Sequence, residues 1–429
     1  MAKTESIKKT LESCFLESWI CETAWEVGLV KRRKKVDIVA FFWTLVLGFG
    51  TGSCRTIAEL RRSFGSATGT WLVPSSFYDR FSPALCEFLK RAVGHACQTL
   101  SEPDTKLKGK LSSFADLVVA DATVISLHDF LKSHYKACRT NHTKSALKLQ
   151  LVMSVLAASP KNVQIFSERV HEVKKLSVGP WVKGRLLLID LGYYCFSLFE
   201  RIQRNGGFFV SRVKSNANFE IASSHLVCRG QSVKLEGKKL QEILPKLKRQ
   251  AVDLEVWVPI KRRPYGLWQT TVTKTFRLVG LRNESTGKYH LYITNVPREQ
   301  LSPGDIGRVY AARWEVELLF KELKSGYKLD ELPSSKRHVV EALVYVAILT
   351  LTVSRLLLFT MRRRLQLSKR RTPERRWAAV FKTSAHQLLV LLLDARPQRQ
   401  RWRQITGFLA HELVDPNRRR TLNLRGVGA

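Results

Sequence analysis

Leu117-Val118-Val119-Ala120-Asp121-Ala122-Thr123-Val124-Ile125 is a near-continuous apolar, β-branched run broken by a single acid. Without polar alternation, such a run reads as a strand covered on both faces. Strand candidates follow at residues 149–156, 163–170 and 186–189, then a helix at 196–202 and, after Gly206-Gly207, a strand at 208–213. Strands first, then alternation with helices, predict a mixed α/β domain. Between about 215 and 285 the pattern changes to alternating strands at 254–260 and 271–279, joined by the basic turn Lys261-Arg262-Arg263-Pro264. That stretch reads as a β-rich insertion, after which residues 289–295 return as a core-like strand.

On either side of this region the period becomes helical. Apolar spacing marks helices at 7–20, 38–47 and 57–64, with Thr56 placed to cap the last and Gly65 to end it. Pro74-Ser75-Ser76 opens another helix, and this pair has some character of a helix-turn-helix with a longer connection than usual. Ser302-Pro303 starts a long helix, and the remainder is helical and strongly basic. The 429 residues therefore divide into a helical region at 1–110, an α/β domain at 111–330 carrying the insertion, and a basic helical region at 331–429. No repeat of solenoid length is visible.

Asp121 lies in one apolar strand run and Asp190 closes another, Leu186-Leu187-Leu188-Ile189-Asp190. Burying a carboxylate there is costly unless it is paired. Each could cap a turn, Asp190 being followed by Leu191-Gly192, but two such acids in a basic protein point to a shared metal site. A third element is the helix predicted over 303–325, with Tyr310, Arg313, Glu317, Lys321 and Lys324. At 100° per residue all five fall within roughly 80° of arc. The alternative for that stripe is an ordinary salt-bridged solvent face.

The spacing Tyr310-x2-Arg313-x3-Glu317-x6-Lys324 resembles the Y-x2-R-x3-E-x6-K signature of bacterial DDE transposases of the insertion sequence 4 family. The resemblance places Asp121, Asp190 and Glu317 as the catalytic acids and metal ligands. It implies a ribonuclease-H-like catalytic fold with a β-rich insertion between the second and third acids, and an N-terminal helical region that binds transposon ends. The 127-residue interval from Asp190 to Glu317 has room for that insertion. Two departures stand out: Ala122 follows the first acid, and Leu191 replaces the arginine that commonly follows the second. Some relatives stack a displaced base on a tryptophan where this chain has Tyr289 and His290.

Cleavage of a phosphodiester needs both the attacking and the leaving oxygen stabilised, and two Mg²⁺ ions about 3.5–4 Å apart can do so. Three carboxylates suit that pair, with Mn²⁺ as a substitute. In this reading Asp121 bridges the ions, Asp190 and Glu317 complete one site each, and Tyr310, Arg313, Lys321 and Lys324 contact phosphates.

The charge balance fits a polyanionic partner: 72 Lys+Arg face 36 Asp+Glu, a net charge of +36. From Arg362 onward there are 17 Lys/Arg against 4 Asp/Glu. Candidate DNA-backbone contacts are 31–35, Lys144 with Lys148, Arg362-Arg363-Arg364, 369–371 and Arg418-Arg419-Arg420, each with a solvated face as the alternative. The most apolar stretches, 38–50 and 342–354, have thirteen residues each and fall short of the ~20 that span a bilayer. No signal peptide is evident at the start, and the eight scattered cysteines read as reduced core thiols, so a cytoplasmic, nucleoid-associated protein is expected. His128, His134 and His142 fit no metal-site spacing, and Trp257 and Trp268 read as packing residues.

The function expected is transposition by cut and paste: metal-dependent cleavage at terminal inverted repeats of double-stranded DNA, then strand transfer into target DNA by a homodimer. The alternatives are a non-catalytic DNA-binding derivative of a transposase and a general metal-dependent nuclease.

Overall fold

The computed structural model describes residues 5–32, 36–51, 56–99, 106–138, 143–262, 270–330, 332, 334–368, 371–396 and 398–416. The run containing Asp121 is a ten-residue strand, β1 (Leu117–Ser126). β2 (Ala146–Ser154) and β3 (Ser159–Ser167) continue from it as an antiparallel meander. β4 (Leu186–Ile189) and β5 (Phe208–Arg212) then lie parallel to β1 on its other side. The parallel strands need a crossover. It is supplied between β4 and β5 by a helix at Phe196–Arg204.

The insertion does not form a separate layer. It comprises β6 (Glu220–Ser224), the small pair β7 (Val227–Cys228) and β8 (Gln231–Ser232), and the long hairpin β9 (Ala251–Arg262) and β10 (Thr270–Arg282). β11 (Tyr289–Thr294) pairs with both β10 and β5, so one nine-stranded mixed sheet runs β3-β2-β1-β4-β5-β11-β10-β9-β6. Leu254, Val256, Val258 and Ile260 of β9 are buried, whereas Trp257 on the opposite parity is 44% exposed. Strand alternation thus turns Trp257 outward, against the expectation of a packing residue. Trp268 lies outside the described residues.

Helices cover the sheet. The N-terminal set is α1 (Glu5–Cys14), α2 (Glu17–Glu26), α3 (Ile38–Trp43), α4 (Ile57–Thr68), α5 (Pro74–Tyr78) and α6 (Pro83–Thr99). Two single turns, α7 (Glu172–Lys175) and α9 (Leu240–Ile243), flank the crossover helix α8. α10 (Pro303–Tyr310) and α11 (Trp314–Lys321) carry the motif residues. α12 (Arg337–Leu365), α13 (Glu374–Leu393) and α14 (Arg399–Leu413) complete the chain as described.

Thr56 caps α4, accepting from the Glu59 amide at 3.2 Å, as the sequence suggests. The helix runs through Gly65 and stops at Gly69, whose φ of 70° provides the left-handed C-terminal turn. Gly65 serves packing instead: a Cβ there would lie 2.5 Å from the Trp71 ring.

Residues of β1 divide between two cores. Val119 packs with the α-helical regions, together with Leu149, Leu188, Val210 and α12, while Val118 and Ala120 pack with α8 and the insertion. The first core joins α1–α6 to α12–α14, so the two terminal helical regions share one interior rather than forming separate bodies. α12 runs far beyond the thirteen-residue stretch that the sequence singles out. By length and hydropathy it would cross a membrane, yet 89% of its apolar window is buried inside the protein. It is the central core helix, and burying each large aliphatic side chain contributes roughly 1.5–3 kcal/mol. Cys14, Cys86 and Cys97 are buried as expected, but Cys21, Cys138 and Cys228 are exposed.

A cluster of three carboxylates around Arg313

β1 and β4 are parallel and in register up to Ala120 opposite Ile189. The next residue in each segment is an acid, so register sets Asp121, midway along β1, beside Asp190, just past the carboxyl end of β4. Asp121 also receives its neighbouring Ala122 amide at 2.8 Å. Asp190 leads into a single turn at Leu191–Tyr193, the Tyr193 amide bonding back to the Asp190 carbonyl at 2.9 Å.

The motif helix reaches the same place from the adjoining layer. Ser302 and Asp305 form a reciprocal cap at its start, with Lys110 and Arg308 paired to the buried Asp305. Gly307 lets α10 settle on β10, since a Cβ there would meet Leu281 at 2.3 Å. The path then tightens at Ala311–Arg313, runs as α11, and widens into a π-turn at Glu322–Gly326. It is therefore not the uniform helix that the spacing predicts, although it still presents Arg313 toward Asp121 and Asp190, Glu317 toward Arg313, and Lys324 toward β1.

Arg313 is the meeting point. Its guanidinium lies 3.6 Å from Asp121 Oδ2, 3.9 Å from Asp190 Oδ1 and 2.5 Å from Glu317 Oε1. The three acids so come from β1, the end of β4 and α11. Burial pushes the Asp121 carboxyl up to about 6; the Ala122 amide and Arg313 oppose the rise, and Asp190 and Glu317 add to it. Lys324 donates to the Val124 carbonyl of β1 at 2.9 Å, tying the π-turn to the strand that bears Asp121.

Tyr310 sits differently from its expected phosphate contact, whereas Lys321 stays open to solvent. Tyr310 is buried, and its hydroxyl donates to the Ile189 carbonyl at 3.3 Å, bracing the strand end instead of facing outward. Lys321 is exposed, beside the acids in sequence but outside their cluster. The charged clusters divide too. Lys148 is paired to Glu172 at 2.9 Å, and Arg362 is buried against Thr372 and Glu374. Those two are structural cations. Lys31 and Arg32 are described, whereas 33–35, Lys369, Arg370 and Arg418-Arg419-Arg420 lie outside the described residues. His128 accepts from the Phe130 amide at 3.3 Å, His134 is exposed, and His142 is outside the described residues. Tyr289 donates its hydroxyl to the Arg249 carbonyl at 2.5 Å.

Sequence reasoning missed Glu172, whose carboxylate presses on Gly192 just after Asp190: a Cβ on Gly192 would lie 2.6 Å from it. Burial, then Glu172, Asp121 and Asp190, raise the neighbouring Tyr193 phenol. Nothing in the residues around 172 signals this proximity. Trp314 and Leu318, 58% and 48% exposed on the same helix as Glu317, are large apolar side chains that the sequence does not single out.

The donor set suits a hard divalent cation: three carboxylates face one guanidinium, leaving net negative charge and oxygen ligands of the kind Mg²⁺ prefers. Among the described residues no three acidic, imidazole or thiol groups are gathered tightly enough for an ion as they stand. The point the acids share is occupied by Arg313.

Residues 112–353 match the family described as Transposase DDE domain. The chain is 22% identical over 388 residues to the transposase for insertion sequence element IS1151 of Clostridium perfringens, covering 83% of this chain and 81% of that one. It is 23% identical over 408 residues to the transposase for insertion sequence element IS231B of Bacillus thuringiensis subsp. berliner, covering 86% and 83%. Among solved structures, a piggyBac transposase synaptic complex with hairpin DNA aligns over 95% of this chain and 85% of that one, at 11% identity and a TM-score of 0.45.

Proposed function

From the premise that the chain belongs to the Transposase DDE domain family, we propose that it moves a DNA element by cut and paste. The observation that carries this reading is the convergence of Asp121, Asp190 and Glu317, from three separate elements, on Arg313. In its finer form the reading assigns the chain to the insertion sequence 4 group, with residues 111–330 as a ribonuclease-H-like catalytic domain. The strand order β3-β2-β1-β4-β5, with one acid midway along β1 and the other directly after β4, supports that assignment.

The reaction class is phosphodiester hydrolysis followed by transesterification. Water attacks phosphorus and frees a 3′-oxygen; that 3′-OH then attacks phosphorus in target DNA and displaces another 3′-oxygen. Asp121, Asp190 and Glu317 would hold the divalent cations, two Mg²⁺ ions in the full proposal. When bound, such cations supply Lewis acidity at the phosphate and a water of lowered pKa. The protein's own part is positional and electrostatic. Arg313 offers a planar fork of donors to phosphate oxygens, Lys321 and Lys324 add positive charge along the same helix, and Tyr310 fixes the strand end that precedes Asp190.

Double-stranded DNA, both element ends and target, is the partner that a net charge of +36 favours. Joining two ends in one event calls for two active sites, so we assign a homodimer on DNA, acting at the nucleoid in the cytoplasm.

The test uses the full chain with a supercoiled plasmid carrying the DNA that flanks this gene. Wild type should cut at discrete flanking positions only with Mg²⁺ or Mn²⁺. Glu317→Gln should bind the same DNA and leave it intact. Binding without any cleavage by wild type would favour the non-catalytic derivative, and cuts scattered without end preference would favour a general nuclease.

A further inference from the structure

Arg313 stands where the proposed site would need its metal charge. Its guanidinium approaches all three acids and its side chain is only 17% exposed. An arginine cannot lose its proton in a protein, so this counter-charge is permanent and no change of pH removes it. The carboxylate oxygens nearest the guanidinium belong to the donor set a divalent cation would use. Two cations competing for one set of oxygens repel each other, and the gain from adding the second is reduced while the first remains.

Arg313 nevertheless has an alternative class of partner. A DNA phosphate can pair bidentately with a guanidinium, and Arg313 sits on the helix whose Lys321 is open to solvent.

Resting on the proposed function, we infer that Arg313 is a gate on metal loading. Without DNA it holds Asp121, Asp190 and Glu317 as their resident cation, and a phosphate at the site draws it away and frees the carboxylates for the divalent ion. The device would keep a DNA-cutting centre unloaded until DNA is in place. Linkage makes the statement quantitative: DNA must tighten metal binding by the same factor by which metal tightens DNA binding.

The experiment measures Mn²⁺ binding to the full chain by the loss of the free-ion paramagnetic resonance signal. It is run with and without a short mixed-sequence duplex, with the duplex alone subtracted. Wild type should bind Mn²⁺ at least ~5-fold more tightly with the duplex, the lower end of ordinary coupling factors. Fluorescence anisotropy of the duplex should show the reciprocal gain at saturating Mn²⁺. Arg313→Gln should bind Mn²⁺ tightly without DNA and gain nothing further from it. Arg313→Lys, which keeps the charge but reaches as a single point, should fall between and carries the test if the Gln variant melts early.

Arg313→Gln binding Mn²⁺ no more tightly than wild type in the absence of DNA would overturn the gate. If Asp121→Asn still abolished that binding, the metal-site reading would survive the loss. Absence of Mn²⁺ binding in every form, with DNA or without, would overturn both.

Discussion

The hydroxyl of Tyr310 donates to the carbonyl of Ile189 at 3.3 Å, linking the motif helix to the residue directly before Asp190. The bond joins the two elements whose relative position decides whether the second acid meets the third. Tyr310→Phe keeps the buried ring and removes only this bond, worth about 0.5–1.5 kcal/mol. We expect single-turnover cleavage to slow by ~2–10-fold with DNA affinity unchanged. An equal loss of DNA binding would mean that the phenol contacts DNA after all.

Lys321 is exposed on the same helical stretch and serves as a probe of DNA contact. Each phosphate neutralised contributes about −0.9 to the slope of log affinity against log salt. Wild type should show a steep slope, and Lys321→Ala should flatten it by roughly 1 while weakening all sequences alike. Identical slopes for the two proteins in a filter-binding or anisotropy series would remove Lys321 from the interface.

Arg355 of α12 is 3% exposed and pairs with Glu322 in the π-turn that follows Glu317. Removing one partner leaves a buried charge uncompensated. Arg355→Met should therefore cost about 3–5 kcal/mol, and Arg355→Met with Glu322→Met should recover most of that loss. Denaturant unfolding of the single and double variants checks the sign; a double variant as unstable as the single would show that shape, not charge, is at stake.

Asp116 precedes β1 at the opposite end of the sheet and is 1% exposed. Burial pushes its carboxyl up to about 6, against the opposing effects of Ser154, Lys161 and Arg185. A folded-state value above the unfolded one means that this group's contribution is present below about pH 4 and is lost as pH rises through about 6. Asp116→Asn should thus gain stability over wild type across that window, by about 1–3 kcal/mol at pH 7. Thermal melts from pH 4 to 7 give the answer. A widening advantage for wild type would show that the neighbouring cations outweigh burial.

Much of the α/β region was legible in the sequence because its signals are local. The run leading into Asp121, residues 117–120, is buried on both faces and so carries no polar alternation, which is why it reads as a strand, although Val124 beyond it is exposed; residues 186–189 are identified the same way and coincide with β4. The spacing from Tyr310 to Lys324 is also local, and it placed Arg313 and Glu317 on one side of a helix even though the real path tightens and widens. Strand edges moved by a few residues, as at Ala146–Ser154 and Ser159–Ser167, because a meander's ends depend on the partner strand.

The sequence by itself determined the acids, their strand and helix settings, and the positive charge that suits DNA. Only the tertiary structure decided which cations are available. Arg362 and Lys148 look like members of basic clusters, yet they are spent on Glu374 and Glu172, while Lys321 stays exposed. The same holds for Tyr310, turned onto Ile189, for the insertion merged into one sheet, and for the terminal helices sharing a core. The physical reason is common to all of them. Periodicity reports which face of an element is apolar, but what covers that face, and which charge meets which, is settled by groups distant in the chain.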